Sequence, residues 1–287
     1  MSSDSVVRSA VVGVDGSAAS RTALEWVCRS ALPSDVVHAV HVHARGTAAD
    51  TSAVRRDLDA WVGAAATGET TVHTAASVGD CADELLRVVD DVDARLLAVG
   101  HRCGHLGSRL GRTTMQLLER ARCPIAIVGE GLAPVPSTTV VAGVGHGPAT
   151  HAAIRWAAEY ADLHGTALRL IRAVPNRPVF RSDGLLDVMA WYIDRDMATG
   201  WALDDLQSAA DSIERSTRDD LPISWSASPG SPARVLTEES TSASLLVVGL
   251  HQDADTPVGD VDHDVPHWLH HAITHAPCPV VVVPVLA

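Results

Sequence analysis

The chain has 287 residues, with 35 Asp and Glu against 22 Lys and Arg and a formal net charge of -13. That balance excludes broad binding to nucleic acid or to an acidic membrane surface, both of which need clustered Lys and Arg to displace counterions. Five cysteines (Cys28, Cys81, Cys103, Cys123 and Cys278) are odd in number, scattered and without a CxxC pair, so neither a disulfide framework nor a zinc site is expected.

In chain order, the opening MSSDSVVRS lacks the apolar core of a targeting segment, and no later apolar run approaches the roughly 18 residues of a membrane span. A cytoplasmic protein with no membrane partner is expected. Short apolar runs then alternate with helical periodicity: Ala10 to Val14, Ala18 to Ala31, Val36 to Val42, Ser52 to Ala66, Val72 to Ala76, Asp80 to Val92, Leu96 to Val99, Thr113 to Ala121 and Ile125 to Val128. The order is strand and helix in alternation. Runs such as LLAVG and IAIV are apolar at consecutive positions, as expected of parallel strands covered on both faces.

After a Gly- and Pro-rich linker at Gly129 to Thr138 the series repeats: Val140 to Val144, Ala149 to Leu163, Ala167 to Val174, Met197 to Ser216, Ile223 to Ser226, Ala233 to Ser240, Leu245 to Val248, Pro266 to His275 and Pro279 to Val285. The repeat is visible in residues as well as in pattern. AVVGVDGSAASRTALEW from Ala10 returns 130 residues later as VVAGVGHGPATHAAIRW from Val140, Leu96–Gly100 matches Leu245–Gly249, and Ala121–Pro124 matches Ala276–Pro279. Two tandem α/β domains follow, each a doubly wound parallel sheet, over residues 1–131 and 137–287. The second carries extra residues, chiefly an insertion from Pro175 to Asp196 that reads as a lid or a partner-binding loop.

Right-handed crossovers place the loops after the strands on one edge, where ligands of such sheets bind. Val14-Asp15-Gly16-Ser17 sets Asp15 at a strand's carboxyl end and Ser17 at a helix N-cap; a plain capped turn would look the same. The stretch Gly100 to Thr114 joins a buried strand to a helix and contains four glycines and three arginines. Backbone N–H groups of such a loop, with the helix N-terminus, form an anion cradle, and Arg102, Arg109 or Arg112 could neutralise phosphate oxygens.

VGVDGS, LLAVG with its Gly-rich loop, and the helix ending in ARCPIAIV together resemble the universal stress protein family, across nearly the whole chain. The resemblance implies an adenine nucleotide such as ATP, with Mg²⁺ as its companion, held in the first domain. The implied contacts are Gly13, Val14, Asp15, Val42, Val99, Gly100, Gly104, Gly111, Arg112, Thr113 and Thr114. It also implies pairing through the last strand of each half, a pseudo-dimer of the two halves, and a homodimer of the whole chain. The loop departs from the family pattern of Gly, two residues, Gly, nine residues, Gly and then Ser or Thr. Cys103 stands where the second Gly belongs with Gly104 one place late, the loop is two residues shorter, and Arg112 replaces the Ser or Thr.

In the second half Gly145 replaces the Asp, Gly249-Leu250-His251-Gln252 lacks the second Gly, and Pro266-His267 takes the place of the last Gly and its hydroxyl residue. The same loop carries Asp253, Asp255, Asp260, Asp262 and Asp264, which repel a triphosphate. No nucleotide site is expected there. His263, His267, His271 and His275 recur every four residues, but Trp268, Leu269, Ala272, Ile273 and Ala276 form the buried stripe of that helix, so solvent-facing histidines are expected rather than metal ligands. His38, His41 and His43 are read as strand-end residues and Cys103 as an ordinary loop thiol.

No nucleophile–base–orienter series, HExxH or Walker lysine indicates turnover. The chain therefore reads as a stress-response regulator, not an enzyme: nucleotide in the first domain, assembly or an unidentified protein partner at the second, and linkage between the two. A nucleotide-independent interaction protein with both sites degenerate, or a slow ATP hydrolase, are the alternative readings.

Overall fold

The computed structural model describes residues 9–31, 35–44, 51–65, 70–102, 110–132, 137–145, 148–174, parts of 199–213, 221–252 and 265–286. The chain divides into two compact units, one built on Met1–Ala133 and the other on Pro134–Asp253 and Pro266–Val285. The dividing point falls within the Gly- and Pro-rich linker. The insertion after Pro175, the five-carboxylate stretch, His263, Cys103, Gly104 and Arg109 lie outside the described residues.

The first unit runs β1 (Ser9–Gly13), α1 (Ala18–Ser30), β2 (Val36–His43), α2 (Thr51–Ala65), β3 (Thr71–Val78), α3 (Cys81–Asp91), β4 (Leu96–His101), α4 (Arg112–Arg120) and β5 (Ile125–Gly129). The strands lie in the order β3-β2-β1-β4-β5, and their pairings are parallel. Leu97, Ala98, Ile125 and Ala126 are wholly buried, as their consecutive apolar positions demand between two helical layers. Each fully buried aliphatic side chain contributes about 1.5–3 kcal/mol.

The second unit runs β6 (Thr139–Gly143), α5 (Pro148–His164), β7 (Ala167–Val174), helical residues within 199–213, β8 (Ile223–Pro229), α6 (Pro232–Glu239), a 3₁₀ turn (Ser240–Ser242), β9 (Leu245–Gln252), α7 (His267–His275) and β10 (Val280–Leu286). Its order is β10-β9-β6-β7-β8, the same winding with β10 in the place of β5. The mixed α/β fold with a parallel sheet is the expected one.

Register makes the repeat exact at the site edge. Gly13 of β1 lies opposite Val40 of β2, and Gly143 of β6 lies opposite Ile171 of β7. The amide of Val14 donates to the Val40 carbonyl at 2.8 Å, and that of Val144 donates to the Ile171 carbonyl at 2.8 Å. His41 of the first half thus corresponds to Arg172 of the second, and Val42 to Ala173. By the same logic the Gly79 and Gly230 amides close onto His43 and Val174, so Cys81 and Leu85 of α3 correspond to Pro232 and Leu236 of α6.

Candidate functional site

Local sequence sets the rim of the first site. The Ser17 side chain caps α1 by accepting from the Ser20 amide at 3.2 Å, while the Ser17 amide donates to Asp15 Oδ1 at 2.9 Å. The Asp15 amide in turn donates to Ser20 Oγ at 3.2 Å. This closed ring of short-range bonds fixes the Asp15 carboxylate at the strand edge. Burial works against its charged form, but hydrogen bonds from Ser17 and Ser20 and the charge of Arg102 outweigh it and hold the carboxyl below its ordinary value.

Gly16 has φ +80°, in the left-handed region, and a Cβ there would lie 2.6 Å from the Trp61 ring of α2. Trp61 therefore lies directly against this turn. His41 Nδ1 lies 2.6 Å from the carbonyl of Val14; because a carbonyl only accepts, Nδ1 carries the proton. The end of β2 is tied to the Asp15 turn in this way.

The opposite rim is the start of α4. Gly111 occupies its N-cap with φ −63°, and among the described residues no side chain caps the helix and nothing lies within 4 Å of where a Cβ would stand. A helix start without a side-chain cap is the arrangement that favours an anion. Arg112 reaches from this turn to Asp80, with its Nη2 donating to Oδ2 at 3.2 Å; Arg112 is 81% exposed and Asp80 29%. Asp80 is also the N-cap of α3, accepting from the amides of Ala82 and Asp83.

Between the rims is a cavity of about 470 Å³. Gly13, Val14, Asp15, Val42, Val99, Gly100, Gly111, Arg112, Thr113 and Thr114 all line it. These are the sequence-expected contacts other than Gly104, which falls outside the described residues. Sequence reasoning missed Ser20, Val40, Cys81, Leu85 and His101, which also line the cavity. The signal was present, because Gly79-Asp80 opens a helix after a strand, and helices opening after parallel strands converge on one edge. Burial raises the Cys81 pKa, and Asp80 and Asp15 add to this against a hydrogen bond from Thr113, so Cys81 is a protonated wall residue rather than a nucleophile.

Gly100 has a role that its place in a Gly-rich loop did not disclose. A Cβ at Gly100 would lie 2.3 Å from the Ala19 carbonyl carbon and 2.4 Å from the Ser20 amide nitrogen of α1. In the second half a Cβ at Gly249 would lie 2.3 Å from the Ala149 carbonyl oxygen of α5. Both glycines therefore exist for close helix–strand approach.

In α7, His267 and His275 are exposed, whereas His270, His271 and Trp268 are half-buried, so Trp268 is not part of a fully buried stripe. Leu269, Ala272, Ile273 and Ala276 are buried, while His271 and His275 stack with ring centroids 4.1 Å apart on the other side of α7. Partial burial, followed by the neighbouring His275, His267 and His270, lowers the His271 pKa. His38 stacks on His73 across the β2–β3 pair at 5.5 Å. Among the described residues no group of three or more His, Cys, Asp or Glu is placed to hold a metal ion, and no helix is long and apolar enough to cross a membrane.

Residues 7–129 match the model of the universal stress protein family. Over nearly the full length the fold is that of a universal stress protein from Archaeoglobus fulgidus DSM 4304, with a TM-score of 0.66, 15% identity, and coverage of 96% of this chain and 98% of that one. A functionally unknown protein from Pseudomonas aeruginosa PAO1 is similar too, with a TM-score of 0.60, 15% identity, and coverage of 97% and 93%. At such identities the likeness is one of fold. Residues 7–129 thus carry a universal stress protein domain by their sequence, and the whole chain shares its fold with these solved structures.

Proposed function

We propose that the first half binds one adenine nucleotide, ATP in the leading form, and that the chain acts as a nucleotide-dependent regulator rather than a turnover enzyme. The observation that carries this reading is the convergence of the Asp15 turn, the end of β2 and the uncapped start of α4 on one cavity of about 470 Å³, within the usual range of roughly 300–1,000 Å³ for small-molecule sites. Val40, Val42 and Leu85 supply an apolar wall for a base, and the Asp15 carboxylate accepts from a ribose hydroxyl. Gly111, Arg112, Thr113 and Thr114 present amides, a cation and hydroxyls to phosphates, and Arg102 adds a second cation. Mg²⁺ accompanying ATP would be carried by phosphate oxygens and water.

Ligand binding at the start of α4 favours one arrangement of the loop before it, and a protein partner that reads this arrangement is linked to the nucleotide by differential affinity. The second half serves assembly or partner contact in this reading. Calorimetric titration of the full chain with ATP and AMP tests the proposal. One site per chain, lost in Gly111→Glu, is expected; two equal sites would sink the one-site reading, and absence of saturable binding would sink it and leave the nucleotide-independent reading.

A further inference from the structure

α7 opens beside a cavity of the second half, about 570 Å³ in volume, which Trp268 lines. Pro266, His267 and Trp268 stand there where α4 has Gly111, Arg112 and Thr113. The positions that Leu269, Ala272 and Ile273 leave outside the core include four histidines, His267, His270, His271 and His275. Residues four apart on a helix are neighbours on its surface. The His271 and His275 rings accordingly lie nearly parallel, with an interplanar angle of 16° and centroids 4.1 Å apart.

Hydrogen bonds around His275 fix which of its nitrogens is available. Nδ1 lies 3.0 Å from the His271 carbonyl oxygen, which only accepts. It also lies 2.7 Å from Thr274 Oγ1, whose own proton goes to the His270 carbonyl at 2.9 Å. Nδ1 therefore carries the proton, facing two acceptors, and Nε2 keeps its lone pair on an exposed ring. Metal-ligating imidazoles are held in this way, one nitrogen donating to a carbonyl while the other ligates. Partial burial and the neighbouring histidines lower the His271 pKa, so its ring is neutral at pH 7, the form that binds a metal ion. Turning that ring about its Cβ–Cγ bond, a torsion with broad minima, brings one of its nitrogens beside Nε2 of His275. The pair also occupies the last two turns of α7, close to the carbonyl end that favours a cation.

We propose that His271 and His275 bind one divalent ion of the Zn²⁺, Ni²⁺ or Cu²⁺ class as a two-imidazole clamp on the surface of α7. Imidazole suits these ions, whereas Mg²⁺ and Ca²⁺ seek oxygen ligands. Among the described residues no third His, Cys, Asp or Glu completes the set, so water fills the remaining positions. The site is separate from the first cavity and independent of nucleotide binding there.

The test titrates the untagged full chain with Ni²⁺ and Zn²⁺ by calorimetry, in a buffer that does not ligate metal. A saturable site of one ion per chain should appear and should withstand excess Mg²⁺. His271→Ala and His275→Ala should each weaken Ni²⁺ binding at least about tenfold, a difference of about 1.4 kcal/mol, while His38→Ala and His267→Ala should change it by less than about threefold. Imidazole ¹⁵N NMR should show His275 as the Nδ1–H tautomer in the free protein, and substoichiometric Ni²⁺ should broaden His271 and His275 before the other histidines. Circular dichroism checks that each variant is folded, and His275→Ala, an exposed change, decides the matter if His271→Ala does not fold. Absence of saturable binding, unchanged affinity in His275→Ala, an equal loss in His267→Ala, or displacement by Mg²⁺ each overturns the proposal.

Discussion

The two halves share a frame and differ in what the frame presents. Positions that hold a strand against a helix are the same in both, as Gly100 and Gly249 show, whereas positions that line the cavity in at least one half have diverged: Asp15 against Gly145, Arg112 against His267, Thr113 against Trp268, and His41 against Arg172. Shared residues at a site edge are therefore poor evidence of shared ligands. A glycine at the end of the fourth strand of each half reports packing, and only the residues around it report chemistry.

The largest effect should come from the packing glycines. Gly100→Ala and Gly249→Ala each drive a Cβ into backbone atoms at 2.3 Å, and backbone yields less readily than a side-chain tip. Each should cost about 3 kcal/mol, the upper end of overpacking penalties, measured by urea unfolding. A tolerated Gly249→Ala would break the equivalence of the halves.

Next come the cavity residues of the first half, where binding and stability should separate. Gly111→Glu introduces a side chain where no described residue lies within 4 Å and at φ −63°. It should leave stability within about 0.5 kcal/mol of the parent while removing nucleotide binding in calorimetry. Asp15→Ala should weaken binding by about 1–3 kcal/mol, the cost of an unmet polar partner. The mirrored change Gly145→Asp should create no nucleotide binding, because Arg112 and Thr113 have no counterparts; an ATP site gained by this single change would overturn the contrast between the halves.

Gly16→Ala strains a backbone at φ +80° and meets the Trp61 ring at 2.6 Å. A loss of about 1–3 kcal/mol is expected, and Trp61→Ala in the same chain should recover the steric part alone. Recovery of full stability in the double variant would show that the left-handed conformation costs nothing here.

The last expected effect is common to both halves and shows only in alkali. Burial pushes the Cys123 and Cys278 thiols up to about 12, Asp90 adding to it at Cys123. A raised folded pKa means that the folded state holds its proton longer, so this contribution is intact below about pH 9, the unfolded thiol value. It is lost as pH rises towards the folded value. Unfolding measured across that interval should show a decline that flattens in a Cys123→Ala, Cys278→Ala double variant, and neither thiol should react with iodoacetamide in the native protein at neutral pH.

The fold was legible because its strands are consecutive apolar runs and its helices carry periodic stripes, so element order and the shared edge followed from the chain itself. Most cavity residues of the first half were legible for the same reason: β1, β4 and α4 each announce their ends by Gly, Asp or Ser. What was not legible depended on register. Trp61 reaches Gly16 from α2, Cys81 and Leu85 reach the cavity from α3, and Arg172 replaces His41 only when β7 is laid against β2, one residue off the spacing that aligns β1 with β6. The reading of the second half turned on its loop, where carboxylates dominate, and passed over the strand end where its cation lies.

The Arg112–Asp80 pair has a thermodynamic consequence for the first site. With Arg112 81% exposed, the pair is a solvent-screened one that stabilises by at most about 1 kcal/mol. An arriving polyphosphate can therefore take Arg112 with less than a tenfold sacrifice in affinity. Asp80 is not orphaned by the exchange, since the Ala82 and Asp83 amides still bind its carboxylate. Added salt weakens the internal pair and the phosphate contact alike, so the exchange acts as an ionic-strength buffer: affinity should fall less steeply with salt than in Asp80→Asn, where Arg112 waits without a competitor.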